Sequence, residues 1–503
     1  MGTSQLKLGS IISYLNVFLN IAVSLLLSPL TVRSLGSSEY GLYQLIWSFV
    51  GYMSVLDLGF TNAVIRYIAK YRAENDLAGQ ERFLGMAMVI YLAISGVILL
   101  VGSVLFFQLG NIFTELTVSE LALAKKLFVI MLLNFIMNIF LNIFPAIING
   151  YERFVFQRGV VLTRFVLRSA VVATALLMGG KGLTLALIDT VFTILFFLVQ
   201  MFYVRVRLKI RLQFKGFDFT FFKEVFSYSV FVFMGIVVDQ INWKVDQFII
   251  GVKMPVSQVG VYSIALQFPM YYMSFSNALS GVFLPKATKM AMTGATDRDF
   301  TDLMIHVARV QWAILGIMLL GFGFFGQQFI RLWVGDDYSA AYPIAIMIMT
   351  ALTIPLFQSV GLSIQQAKNR HRFRAVLYLS IAVVNVILTV ILVDRMGIVG
   401  AAVGTVISYV IGNIIIMNIY YRAKLGIEVG RFFRELCRGM LPATLIMLAV
   451  GFGLNFISVQ TWGTLILKVA VFGLVYLPVF AVIGLNQKEK HEYFALLRKR
   501  LKP

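Results

Sequence analysis

The amino-acid sequence predicts an all-α polytopic membrane protein with about fourteen transmembrane helices. They form two parallel six-helix repeats followed by two C-terminal helices, with both ends in the cytoplasm. Three observations predict this class. Of 503 residues, 59% are hydrophobic and only 13% are charged, and mean hydropathy is +0.86. No soluble chain of that length hides so much apolar surface. With the N-terminus inside, segments facing the cytoplasm hold 31 Lys and Arg against 7 in the outer loops, as the positive-inside rule requires. Short motifs also recur at one spacing. Ser38-Glu-Tyr-Gly41-Leu-Tyr43 returns as Ser257-Gln-Val-Gly260-Val-Tyr262, an offset of 219, and Gly179 and Gly182 return as Gly397 and Gly400, an offset of 218. A unit of about 218 residues has been duplicated.

The elements follow in order. Lipid offers backbone groups no partner, so each apolar run has to be a helix. The first run, residues 11–32, is too long for a signal-peptide core and has no small-residue cleavage site, so it reads as a retained span. Further spans are expected at 42–65, 83–107, 127–148, 159–178 and 183–204, completing an N-terminal lobe over 1–204. A basic cytoplasmic linker, 205–224, joins it to a second lobe over 225–421. That lobe has spans at 225–250, 259–284, 308–330, 340–364, 375–393 and 398–421. Extra spans at 440–456 and 464–485 fall within 422–485, and the tail 486–503 reads as a basic amphipathic segment on the inner leaflet. Six spans separate the two copies, so both enter the membrane in one sense and are related by an axis along its normal.

Composition also excludes classes of function. The net charge of +20 lies in loops between spans, which speaks for membrane orientation rather than a nucleic-acid partner. Cys437 is the one cysteine, so the chain holds no internal disulfide and no cysteine metal site. His306, His371 and His491 are far apart at or beyond the cytoplasmic edge, and no phosphate-cradling glycine loop with a following lysine occurs. No enzyme constellation emerges.

Three segments carry a resemblance. The stretch Pro29 to Lys70, the run Asp246-Gln-Phe-Ile-Ile-Gly251 before the second Gly-x-Tyr, and Gly397-Ile-Val-Gly-Ala-Ala402 with Thr405 resemble the bacterial oligosaccharide flippases. These export O-antigen and exopolysaccharide units within the multidrug/oligosaccharidyl-lipid/polysaccharide exporter superfamily. The likeness covers essentially the whole chain and is specific for family rather than substrate. It implies two lobes around a central cavity, whose rocking carries a polyprenyl-pyrophosphate-linked oligosaccharide to the outer leaflet of the bacterial inner membrane. It implies no cofactor beyond a coupling proton or sodium ion, or the membrane potential as drive. Membrane lipid, a polysaccharide polymerase and glycosyltransferases are the implied partners.

Charges inside the spans mark candidate sites, because each costs at least about 2.5–3.5 kcal/mol in the bilayer. Arg164, Arg168, Lys244, Arg309 and Lys468 are the five such cations. Arg164 and Arg168 share a helix face, and Arg168 lies nine residues into its expected span, roughly 13 Å deep. They suit a pyrophosphate headgroup; a snorkelling or ion-paired structural role is the competing reading. Arg309, near its span's start, is placed to snorkel. Arg66 and its repeat counterpart Lys286 put a cation at the inner end of matching helices, either as a headgroup ring at the cavity mouth or as membrane anchors. Lys244 lies on the most polar span with Asp239, Asn242 and Asp246. Asp57, Asp189 and Asp239 are candidate proton or sodium carboxylates, with salt bridges or helix caps as the alternative. Asn16 and Asn20, and Asn134, Asn138 and Asn142, repeat every four residues. Their amides suit sugar hydroxyls or interhelical hydrogen bonds.

Two other functions compete. A drug/cation antiporter wants an acidic cavity, against the cations seen here. A membrane glycosyltransferase or polymerase wants a large outer loop, and the longest expected, between the third and fourth spans, has about nineteen residues. The topology is open to test. In a Cys437→Ser background, Asn111→Cys is expected to react with an impermeant maleimide from outside and Asn75→Cys is not; reversal of both contradicts the orientation.

Overall fold

The computed structural model describes residues 2–57, 60–214, 240–280, 283–368, 372–457 and 461–487, with 237, 370, 459, 489 and 490. Among them every regular element is helical. Among the described residues eleven helical stretches are long and apolar enough to cross a membrane, so the chain is a multi-pass membrane protein. The first, Leu15–Ala73, holds the first two expected spans; the expected seventh lies largely outside the described residues. The expected eighth is a 25-residue helix not among the eleven, because serines, glutamines and an asparagine lower its hydropathy.

The chain divides into two compact units, Met1–Ser263 and Ile264–Pro503. The first holds α1 (Gly2–Gly51), a 3-10 turn (Tyr52–Asp57), α2 (Phe60–Ala73), α3 (Leu77–Ile112) and α4 (Val118–Leu141). It continues with α5 (Ile143–Gly150), α6 (Phe154–Leu177), α7 (Gly182–Val206), α8 (residues 240–253) and the start of α9 (Val256–Ser280). The second unit takes the rest of α9, then α10 (Leu284–Met292), α11 (Asp297–Val334), α12 (Ala341–Phe357) and α13 (Val360–Ala367). α14 (Arg372–Met396) and α15 (Ile398–Tyr409) follow, then a π-helical turn, α16 (Met417–Leu425), α17 (Val429–Asn455) and α18 (Trp462–Val479).

Helix ends account for the main departures from the expected spans. Thr117 and Glu120 form a capping box that starts α4 at Val118, and α3 runs on to Ile112, so the nineteen-residue outer loop shrinks to residues 113–117. A second box, Thr296 with Asp299, starts α11 eleven residues before the expected span at 308. Arg309 is therefore well inside a 38-residue helix and 3% exposed, rather than snorkelling from its end. The fourth expected span breaks at Asn142 and the tenth at residues 358–359. Each break precedes an eight-residue helix, α5 or α13. The two breaks are 217 residues apart, close to the spacing of the repeated motifs.

The repeated glycines have matching jobs. Gly179 and Gly397 both adopt positive φ, 86° and 61°, where any other residue is strained. Gly41 and Gly260 face each other within the first unit. A Cβ on Gly41 would collide with the Val256 carbonyl, and one on Gly260 would lie 3.3 Å from the Gly41 backbone. Below this contact Phe49 stacks on Phe248 at 5.7 Å and meets Phe113 edge-on at 5.4 Å. The same turn seats α7: Glu39 accepts the Gly182 N–H at 2.7 Å, placing a carboxylate at a helix N-terminus.

In the second unit Arg309 ties three elements together. α17 kinks at Arg438 and Gly439, which frees the carbonyls of Glu435 and Arg438 from helical bonding. Arg309 Nη1 donates to both, at 2.9 and 2.7 Å. Nη2 donates to the Gly484 carbonyl at 2.7 Å and to Glu489 Oε2 at 3.0 Å, while Nε donates to Glu489 Oε1 at 2.7 Å. All five guanidinium N–H groups are used. Glu489 also forms a capping box with Asn486, fixing the start of the tail. Arg309→Ala leaves three carbonyls without this donor and a buried carboxylate with no counter-charge and only the Asn486 N–H. It is expected to destabilise by about 3–5 kcal/mol, read as a lowered melting temperature in detergent; an unchanged melting temperature contradicts this role.

Candidate functional site

Two of the predicted cations meet a predicted carboxylate in the first unit. Arg164 and Arg168 are the eleventh and fifteenth residues of the 24-residue α6, flanking its midpoint on one face. Because α6 begins at Phe154, Arg168 lies deeper than its expected nine residues. Asp189, on α7 beside it, accepts from Arg168 Nε in an ion pair and from the Tyr43 hydroxyl at 3.2 Å. The Arg168 side chain is 30% exposed and that of Asp189 12%. Arg164 Nη2 donates to Thr193 Oγ1 at 2.7 Å, whose own proton goes to the Asp189 carbonyl at 2.8 Å.

The amides of α4 complete the cluster. Asn134 Nδ2 donates to Thr190 Oγ1 at 3.1 Å, and Asn138 Nδ2 donates to Asn134 Oδ1 at 2.6 Å. Five predicted site residues, Arg164, Arg168, Asp189, Asn134 and Asn138, are therefore brought together by α4, α6 and α7. Tyr43, Thr190 and Thr193 join them unpredicted. Tyr43 had a signal: it is the tyrosine of the repeated Ser-x-x-Gly-x-Tyr turn. Its counterpart Tyr262 also donates to a carboxylate, Asp246, at 2.6 Å.

Donor accounting sets this cluster apart. Among the described residues Arg168 uses only Nε and Arg164 only one Nη2 bond, so most of their N–H groups stay open. Two arginines and one carboxylate leave one net positive charge. Partly exposed, with unfilled planar donors, the pair can bind an anion bidentately. Arg309, with every N–H filled by protein, has none left for a headgroup.

Asp57 and Asn142 meet in a second cluster. Thr61 gives its side-chain and backbone hydrogen bonds to the Asp57 carboxylate. Thr61 Oγ1 in turn accepts from Asn142 Nδ2 at 2.8 Å and lies 3.0 Å from the Tyr91 hydroxyl.

The remaining predicted residues lie apart. Lys244, half-buried on α8, sets its ammonium against Gly51, where a Cβ would collide with it. Arg66 is exposed on α2. Lys286, exposed on α10, lines a cavity of about 600 Å³ in the second unit with His306, Arg431, Glu435 and the Arg309–Glu489 pair. Asn16 donates to the Arg158 carbonyl at 3.5 Å, and Asn20 is exposed. Asp239 lies outside the described residues.

Comparison with known proteins agrees with this architecture. Over 405 residues the chain is 22% identical to a candidate O-antigen transporter of Shigella flexneri, covering 78% of this chain and 91% of that one. A solved structure of the lipid II flippase MurJ, in an inward closed conformation, superposes with a TM-score of 0.73 at 18% identity. It covers 94% of this chain and 98% of its own. An inward-facing transporter of the multidrug resistance MATE family superposes with a TM-score of 0.59 at 13% identity, over 81% of this chain and 99% of its own. These likenesses show the fold. Residues 6–291, more than half of the chain, match the model of the polysaccharide biosynthesis protein family, and the chain belongs to that family.

Proposed function

We propose that this protein is a flippase, not an enzyme. It moves a polyprenyl-pyrophosphate-linked oligosaccharide from the cytoplasmic to the outer leaflet of the bacterial inner membrane, for surface polysaccharide assembly. Family membership and the names of the O-antigen transporter and the lipid II flippase support the substrate class. The observation that carries the reading is the open arginine pair on α6, Arg164 and Arg168, with amide neighbours on α4.

A pyrophosphate cannot enter a low-dielectric interior without counter-charge. Asp189 is the counter-ion that holds Arg168 while no headgroup is bound, and the phosphate takes its place on arrival. Asn134 and Asn138, donors and acceptors at once, suit the first sugar hydroxyls. A drug antiporter handling cations would face the net positive charge of the same cluster, so the cationic pair favours the flippase. Arg66 and Lys286 belong to this reading as charges that guide the headgroup in from the cytoplasmic side, and Lys244, in the outer half of its expected span, as a charge met further along the path. The polymerase and glycosyltransferases that consume and supply the lipid-linked unit are the expected partners.

The test uses purified protein and the cell's own lipid-linked donor. A hydrogen bond to a charged group contributes about 1.5–3 kcal/mol, so Arg164→Ala is expected to weaken donor binding about ten- to a hundredfold. Arg168→Lys is expected to keep partial export, and Arg168→Ala to lose it at normal membrane levels. Since Arg168→Ala strips Asp189 of its partner, the double variant Arg168→Ala/Asp189→Asn separates misfolding from loss of the site. Parental binding and export in Arg164→Ala and in that double variant contradict the proposal.

A further inference from the structure

Asp57, half-buried, has a different environment from Asp189 and Asp246, the buried aspartates of the first unit. Asp189 is paired with an arginine and Asp246 receives a tyrosine hydroxyl. No lysine or arginine among the described residues neutralises Asp57. One of its carboxylate oxygens accepts from the Thr61 hydroxyl and backbone N–H, at the start of α2. Its Oδ1 is buried with no hydrogen-bond partner. A bare carboxylate in a membrane-spanning stretch needs a counter-charge.

Two further oxygens are in the same condition. Ser95 is 7% exposed, and its hydroxyl has no partner. It lies one turn along α3 from Tyr91, on the face that meets Thr61. Ser54, one 3-10 turn before Asp57 in the chain, also has a buried hydroxyl without a partner. A proton on Asp57 would neutralise the charge but satisfy one oxygen at most. A small cation would neutralise the charge and draw on several lone pairs. Every group in the set is a hard oxygen donor, as hard cations require, and its single carboxylate balances one positive charge, which suits an alkali cation over a divalent one.

The duplication supplies a built-in control. At the repeat offset of 219, Asp57 corresponds to Ser276; Tyr91 corresponds to Gln311 at 220, and Asn142 to Ser359 at 217. In the second unit these residues also meet: Gln311 Nε2 donates to Ser276 Oγ at 3.0 Å and to Ser359 Oγ at 2.9 Å. The scaffold of the cluster is present in both copies, and the carboxylate in only one.

We propose that Asp57, with Thr61, Ser54 and Ser95, forms a single site for a sodium ion in the first unit. Resting on the flippase reading, it would be where an ion gradient couples to transport; the binding site itself stands without that reading. The experiment is thermal unfolding of purified full-length protein in detergent, titrated with NaCl against choline chloride at constant ionic strength. Sodium is expected to raise the parent's melting temperature by several degrees. Asp57→Asn, which keeps the shape and the Thr61 contact, is expected to lose that rise, and Ser95→Ala to need severalfold more sodium. Arg168→Ala is expected to keep the sodium response while losing donor binding, so failure of the headgroup site and failure of the ion site are told apart. Equal effects of sodium and choline on the parent, or a full sodium response in Asp57→Asn, overturn the site. If the parent and Asp57→Asn differ only in their response to pH, the occupant is a proton and the sodium assignment is wrong.

Discussion

Hydrocarbon offers a charged side chain nothing to bond to, and the cost of leaving one bare decides what each ionisable group here can do. Arg309 answers that cost with five hydrogen bonds to protein acceptors, which locks the α17 kink, the turn after α18 and the tail to α11. Lys468 is 2% exposed, with its ammonium 5.9 Å from the Phe325 ring and no hydrogen-bond partner. The aromatic face supplies part of the missing stabilisation. Arg164 and Arg168 answer it only in part. One carboxylate and one hydroxyl serve two guanidinium groups, and the incompleteness is what leaves room for an anion.

The repeat spacing read from the sequence offers a comparison for this incompleteness. At an offset of 217, Arg168 corresponds to Asn385, whose Oδ1 lies 3.3 Å from both Thr389 and Thr405. The second copy therefore closes the same helix pair, α14 with α15, through neutral groups. Helix packing alone does not call for an arginine at this position. The charged version in the first copy adds something the fold can do without, and polar asymmetry between copies suits a substrate with an anionic end and a neutral one.

Much of this was legible in the sequence. Hydropathy marked the helices because lipid forbids any other backbone state, and the Gly41/Gly260 and Gly179/Gly397 pairs marked turns that the structure uses twice. Arg164, Arg168 and Asp189 were found because charge in an apolar run is conspicuous. What the sequence could not show was pairing. Arg309 looked like a snorkelling residue because the apolar run begins beside it, whereas a capping box at Thr296 starts the helix eleven residues earlier. Its partner Glu489 is 180 residues away, in a tail that composition alone marked as a basic membrane-surface segment. Ser54 and Ser95 went unnoticed for a related reason. A serine hydroxyl in a helix is normally satisfied by a carbonyl one turn back, and only the structure shows that these are not.

The account depends most on the arginine pair of α6 being where the substrate's phosphates rest. Photo-crosslinking addresses that directly. A polyprenyl pyrophosphate analogue with a photoreactive group next to the phosphates would be bound to purified protein, irradiated, and its attachment sites mapped by peptide mass spectrometry. Labelling is predicted in the peptides of α6 and α7 that carry Arg164, Arg168 and Asp189, and is predicted to fade as inorganic pyrophosphate is added. Labelling confined to the Lys286–Glu435 cavity of the second unit, with α6 and α7 unmodified, would contradict it.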